Sequence, residues 1–347
     1  MRILFFIFFL LSFFQYSIAQ QNGKSFDFEF EGYTLNGILN LPDNGNPKGL
    51  VMIVHGAGCP NSVATNLHGD VRQTLTEAGY ATYMYDKMGC GKSEGTFDYN
   101  QPVDNSADEV ISAIKALQKA EIPGSKKIGL WGISRAGWIN PIVINKYQDI
   151  AFWISVSGVD DKENFNYLLG QNLRIQGWPQ DSIVYVVNEL REGVRLTHSG
   201  ATYEEYLNAT QQIRKNPFLN RFNGGSKITE EGYYSYQKEF MKKELDEKTG
   251  LEIYVPGFEK ILSKVDCPVL AVFGELDMNV DWKKTKALYE TTIGDNSKLT
   301  VATYPDCNHN IFKAKTGGFY EFEDNNLEHI RCDGYLETLS HWLANLN

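Results

Sequence analysis

Short apolar runs alternate with longer stretches of helical period along this chain, and that rhythm limits its folds more than any other feature. Leu50–Val54 is apolar at every residue. A run without a polar face suits a strand covered on both sides rather than one lying against water. Helical stretches near residues 63–78 and 105–118 alternate with strands at 81–85, 127–131 and 152–156. Strand and helix in alternation predict an α/β fold: a mostly parallel central sheet with helices on both faces. Ahead of it, Phe26, Phe28 and Phe30 alternate with polar residues, and Gly32 parts them from Leu35, Ile38 and Leu41. That pattern predicts an antiparallel hairpin at a sheet edge.

The rhythm breaks after Gly158. From about residue 160 to 262 the chain is mostly polar, helical in period and rich in rings, among them Phe165, Trp178, Tyr206, Phe222 and Phe240. A loop is marked within it by Asn223-Gly224-Gly225. About a hundred residues without a clear core strand predict an inserted helical cap. Strands return at 268–273 and 299–304, and a last helix covers about 334–346. The expected organisation is therefore a leader (1–19), a first core part (20–159), the cap (160–262) and a second core part (263–347).

The leader is predicted from Arg2, the apolar run of residues 3–14, and the small residues at Ser17-Ile18-Ala19. Crossing a bilayer takes roughly 20 apolar residues, so the run is too short for a span. A cleaved leader implies a secreted or periplasmic protein with no stable membrane insertion. The net charge of −10 would repel phosphates, which excludes nucleic acid as a partner. Cys59, Cys90, Cys267, Cys307 and Cys332 are odd in number and scattered in spacing, so the expectation is buried thiols with at most one incidental bridge. No Cys-x-x-Cys or His-Glu-x-x-His pattern offers a metal ligand set, and no metal or cofactor is expected.

Gly132-Ile133-Ser134-Arg135-Ala136-Gly137 directly follows the apolar segment at 128–131 and leads into a potential helix. A serine on so sharp a strand-to-helix turn, hemmed by small residues, is how a nucleophile is exposed. Its hydroxyl needs a base. Gly274-Glu275-Leu276-Asp277 and Pro305-Asp306-Cys307-Asn308-His309 each follow a strand, and parallel strands end on one edge, so both loops can converge on Ser134. Upstream, the glycines of His55-Gly56-Ala57-Gly58 let backbone N–H groups face a developing oxyanion. The two donors are placed at the amides of Ala57 and Arg135, with Gly58 as the near alternative. His309 is the expected base and Asp277 its acid, with Asp160 or Asp161 as the substitute acid. Asp306 lies too near His309 in sequence to be preferred. His55 is assigned to holding its loop, and Gly89-Cys90-Gly91-Lys92-Ser93 is a turn shaping the site, since Asp86 stands where a phosphate loop needs glycine.

These pieces, with Tyr85-Asp86-Lys87-Met88-Gly89-Cys90-Gly91-Lys92-Ser93 between them, resemble the α/β-hydrolase superfamily, and within it hydrolases of the serine-aminopeptidase-like and dienelactone-hydrolase-like group. The chain order Ser, acid, His is the order that superfamily uses. The elbow departs from Gly-x-Ser-x-Gly by carrying Ala136, and Met88 stands where arginine is usual. The resemblance implies a serine hydrolase acting on small acyl esters through an acyl-enzyme. The alternative on the same machinery is an aminopeptidase or other amide hydrolase, which needs an anionic anchor for an amine; Glu189, Glu192, Glu204 and Glu205 are the cap's candidates. A non-catalytic binding relative is the third reading. Sequence leaves the oligomeric state open.

Overall fold

The computed structural model describes residues 23–160, 165–222, 228–246, 250, 252–293 and 298–346. The expected leader, Asp161 and the 223–225 loop lie outside the described residues. Ten strands are described. Eight form one sheet in the order β1 (Lys24–Ser25), β4 (Gly37–Asn40), β6 (Ala81–Tyr85), β5 (Leu50–Val54), β7 (Ile128–Ile133), β8 (Ile150–Val156), β9 (Val269–Gly274) and β10 (Leu299–Tyr304). From β6 to β10 every neighbouring pair is parallel, while β1 and β4 add an antiparallel edge. The remaining two strands, β2 (Phe28–Phe30) and β3 (Tyr33–Leu35), make a separate hairpin whose Phe28, Phe30 and Leu35 are buried.

Every residue of β5, β6, β7 and β9 is buried, because helices cover both faces. On one face lie α2 (Val103–Lys119) and α3 (Ala136–Lys146), whose Val110, Ile114, Ile139 and Val143 pack with Leu50, Met52 and Leu130. On the other lie α1 (Gly69–Glu77) and α13 (Tyr335–Ala344), whose Val71, Leu75 and Leu339 pack with Val51, Ile53 and Trp131. Period-two burial of alternate side chains divides each strand between these two cores.

Helices α4 (Phe165–Ile175), α5 (Gln180–Ser199), α6 (Tyr203–Ala209), α7 (Gln211–Lys215), α8 (Pro217–Phe222), α9 (Glu230–Phe240) and α10 (Phe258–Leu262) come between β8 and β9. Helices α4, α5, α7 and α8 close a third apolar cluster of their own around Leu169, Leu173, Ile183 and Phe218. By contrast, Phe258 and Leu262 of α10 pack in the core beneath the sheet. Among the described residues no helix is long and apolar enough to cross a membrane.

Three local differences from the sequence reading have physical causes. The helix expected from residue 63 starts only at Gly69, because Asn66 (φ 51°) and His68 (φ 54°) take the left-handed conformation, which no helix continues through. Strand β7 runs on to Ile133, two residues further than its apolar run suggested, and so delivers Ser134 directly. Helix α11 (Trp282–Thr292) had no counterpart in the reading; its signal is Asp281, whose carboxylate accepts the N–H of Lys284 at the helix start.

Candidate active site

Ser134 sits between β7 and α3 with φ 57°, a left-handed value that a residue with a side chain adopts at a cost of about 1–2 kcal/mol. The surroundings enforce it. Its own N–H donates to Val156 O at 3.0 Å on the neighbouring strand, and its carbonyl accepts the N–H of Gly137 at 2.7 Å. A side chain on Gly137 would lie 2.8 Å from Gly158 Cα and 2.9 Å from Val159 N, so the start of α3 can approach the end of β8 only through a glycine. Ala136 meets the same crowding from the other side, 2.6 Å from a Cβ built on Gly132. The requirement for small residues around the serine is thus steric. Arg135 fixes the turn to α2 by donating to Ser106 Oγ at 3.1 Å and to the carbonyl of Gln101.

The loops after β9 and β10 are joined to each other. Leu276 N donates to Cys307 O at 2.9 Å and Glu275 N to Tyr304 O at 2.9 Å. They come so close that a Cβ on Gly274 would lie 2.3 Å from the carbonyl oxygens of Cys307 and Asn308. Across this seam His309 Nδ1 and Asp277 Oδ2 are 2.7 Å apart. An ionised carboxylate only accepts, so Nδ1 carries the proton and Nε2 is left with its lone pair, the form a general base requires. Asp277 is fully buried, and its Oδ1 accepts the N–H groups of Asn279 and Val280, each at 2.9 Å. Asn308 shapes the turn that presents the histidine, its side-chain oxygen accepting from Asn310 N at 3.0 Å and Phe312 N at 3.1 Å.

Ser134, His309, His55, Ala57 and Gly58 line one cavity of about 850 Å³, roofed by Phe165, Leu168, Tyr236 and Phe240 from the helices between β8 and β9. Ser134 and His309 are not hydrogen-bonded to each other in this state; such bonds commonly close only around bound substrate. The loop after β5 runs over the serine, since a Cβ on Gly56 would lie 3.7 Å from Ser134 Oγ. Among the described residues the N–H of Ala57 has no protein acceptor. His55 is held away from the base role: Nε2 donates to Tyr85 O at 2.7 Å, and its pKa falls to about 4, first through burial and then through the nearby Lys87 cation. His68, stacked near it, falls to about 3, through burial and then His55. Both rings are neutral at pH 7.

The other residues singled out by sequence lie elsewhere in the network. Asp160 lines the cavity but its carboxylate pairs with Lys284, not with His309. Asp86 is buried and its carboxylate accepts the N–H groups of Val63 at 3.0 Å and Lys92 at 3.2 Å, so its motif is a structural turn. The expectation of buried thiols with at most one bridge is corrected. Cys59–Cys90 and Cys307–Cys332 are disulfides and only Cys267 is free. Each bridge joins a site loop to a segment 31 or 25 residues away, a proximity that strand order creates and sequence spacing hides. Burial raises the Cys267 thiol to about 12. Sequence reasoning also passed over Arg331, which donates to Asp70 and to the carbonyl of Asn310 and so braces the histidine loop.

The sheet order and the position of these loops are those of the α/β-hydrolase fold, and comparison with known proteins agrees. The profile of the serine aminopeptidase S33 family matches residues 45–180. An uncharacterised 31.7 kDa protein from the traX-finO intergenic region of Escherichia coli is 24% identical, over 84% of this chain and 92% of that protein. The solved esterase Pf2001 of Pyrococcus furiosus aligns with a TM-score of 0.54 at 16% identity, covering 93% of this chain and 91% of that one. A proline iminopeptidase of Mycobacterium smegmatis aligns at 0.51 and 16%, covering 92% and 98%. The chain has the α/β-hydrolase fold, and its residues 45–180 match the model of a family with that fold.

Proposed function

We propose that the protein is an exported serine hydrolase that cleaves carboxylic esters through Ser134, His309 and Asp277. The observation that carries this is the Nδ1–Oδ2 contact of 2.7 Å between His309 and the buried Asp277, in the same cavity onto which a strained Ser134 opens. His309 Nε2 takes the proton as Ser134 Oγ attacks the ester carbonyl. The tetrahedral oxygen is held by the amides of Ala57 and Arg135, and the alcohol leaves with the proton from His309. Water then repeats the sequence on the acyl-enzyme and frees the acid. These steps need no cofactor. Phe165, Tyr236 and Phe240 over the serine support an apolar acyl or aryl group as the part bound by the helical cap.

An ester is favoured over an N-terminal amide by where the acids lie. A peptidase of this kind needs an unpaired carboxylate facing the substrate amine. Glu189 accepts the N–H groups of Gln212 and Ile213, Glu192 pairs with Arg195, Glu205 accepts the N–H of Thr202 at the start of α6, and Glu204 does not line the cavity. The acids that do line the cavity, Asp160 and Glu252, are paired with Lys284 and Lys243. Export is supported by the leader-like first 19 residues together with two disulfides, which persist in oxidising compartments. The test is direct. A fluorophosphonate should label the wild type and not Ser134→Ala, and p-nitrophenyl acyl esters should be hydrolysed in preference to aminoacyl p-nitroanilides. Ser134→Ala should lower kcat by about 10⁴–10⁶ while the fold remains. Labelling of the variant, or preference for the anilides, would refute the assignment.

A further inference from the structure

The side chain that prepares the oxyanion site is Lys87, at the end of β6. Its ammonium donates to the carbonyl of Gly56 and, at 3.0 Å, to the carbonyl of Gly58. We infer that Lys87 is a positioning residue for transition-state binding, acting through the Gly56–Ala57 peptide on the Ala57 N–H. This inference rests on the serine-hydrolase reading above.

The geometry follows from one covalent fact. In a planar trans peptide the C=O and N–H point in opposite directions, and the chain has no cis bond among its described residues. Fixing the Gly56 oxygen on the ammonium therefore fixes the Ala57 hydrogen on the far side, and Gly56 lies beside Ser134 Oγ. The second bond, to Gly58 O, holds the next turn of the loop, where Gly58 has φ 87°. A glycine-rich loop has little stiffness of its own, since nothing restricts φ and ψ as a side chain would. One cation gripping two carbonyls supplies the missing rigidity. It also draws electron density toward the carbonyl oxygen, which makes the N–H of the same unit a stronger donor. The disulfide Cys59–Cys90 closes the same pair of loops from the other end.

The ammonium is held in an unfavourable place to do this. Its pKa is lowered to about 8, chiefly by burial and then by the Arg135 guanidinium, while Glu109 opposes the fall. The groups facing it are Arg135 on the elbow, Glu109 on α2 and the neutral His55 ring after β5. A half-buried cation with no ion-pair partner within 4 Å among the described residues is expensive to keep for packing alone. Two carbonyl acceptors in the site loop account for its retention.

The experiment compares Lys87→Met with wild type, and Ser134→Ala serves as the inactive reference. The expected result is a fall in kcat of about 10–100-fold, below the ~10²–10³ that outright loss of one oxyanion donor costs because the Ala57 N–H is misplaced rather than removed, with KM changed less than threefold. Affinity for an alkylboronic acid, whose serine adduct carries a tetrahedral oxygen, should fall in parallel with kcat. Inhibition by the product acid should stay within threefold. A variant with wild-type kcat and boronate affinity overturns the inference. So does a variant that loses product affinity as much as boronate affinity, since that is general damage to the site. Should Lys87→Met fail to fold, the wild type decides: kcat should decline along a limb near pH 8, and a flat profile from pH 7 to 9.5 overturns it. If the wild type neither hydrolyses esters nor takes the fluorophosphonate, the underlying functional reading fails instead, so the two failures are distinguishable.

Discussion

Replacing Asp277 by asparagine should separate its role in chemistry from its role in structure. The carboxylate makes three contacts: Oδ2 with His309 Nδ1 at 2.7 Å, and Oδ1 with the N–H groups of Asn279 and Val280. Asparagine keeps an oxygen for the two backbone donors, which turns its NH₂ toward His309. An NH₂ group can only donate there, so the imidazole must switch its proton from Nδ1 to Nε2. The nitrogen meant to accept from Ser134 is then occupied. Loss of the correct tautomer costs about 10⁴ in kcat, equivalent to about 5.4 kcal/mol of barrier. Stability should drop little, because both part-buried N–H groups remain satisfied. Alanine removes the acceptor as well, and each N–H left without a partner away from water costs about 1–3 kcal/mol. Hydrolysis of a p-nitrophenyl ester and urea denaturation, measured on both variants, give the contrast. The two should be equally slow, while Asp277→Ala should be less stable than Asp277→Asn by at least about 2 kcal/mol. An Asp277→Asn enzyme that keeps more than a tenth of wild-type kcat would show that this carboxylate does not set the tautomer of the base.

Three further outcomes follow from groups outside the proposed triad. His55 titrates near 4 in the folded chain against 6.5 as the ordinary value, so between those pH values the unfolded chain holds the extra proton. From His55 alone, stability should be full above about pH 6.5 and fall as pH drops toward 4 by on the order of 3 kcal/mol. His68, lowered to about 3, adds a fall of the same sign, so in denaturant melts at pH 7, 5.5 and 4 His55→Gln should make the slope shallower without abolishing it. Unfolding without reductant should expose one thiol, Cys267, to a thiol reagent, and prior reduction should expose all five cysteines. Loss of the Cys307–Cys332 bridge, which closes a loop of 25 residues, should cost about 3–4 kcal/mol in a Cys307→Ser/Cys332→Ser variant; unchanged stability, or five reactive thiols before reduction, would refute the pairing.

Much of the architecture is written locally. A strand buried on both faces must be apolar throughout, so Leu50–Val54 announces a central position without any knowledge of its neighbours. The crowding around Ser134 is likewise visible as Gly132, Ala136 and Gly137, because a tight strand-to-helix turn leaves no room for larger residues. Gly274 is a subtler case. Its glycine could be seen, but not that two carbonyls of a loop more than thirty residues away lie where its side chain would be. The short helix α1 shows the limit from the other side. Residues 63–68 have a helical pattern, yet Asn66 and His68 take left-handed conformations that propensity disfavours, and this stretch brings Leu67 and His68 to the cavity.

From the order of residues alone came the alternating layers, the placement of a serine on a sharp turn, and the loops able to supply an acid and a base at one sheet edge. Those depend on periodicity and side-chain volume, which act over a few residues. The partners were decided by the folded sheet: His309 with Asp277 rather than Asp160, Lys87 with the carbonyls of Gly56 and Gly58, Cys59 with Cys90. Strand order sets which loops become neighbours, and it arises from burial summed over the whole chain. Contacts made across that order therefore have no trace in local spacing.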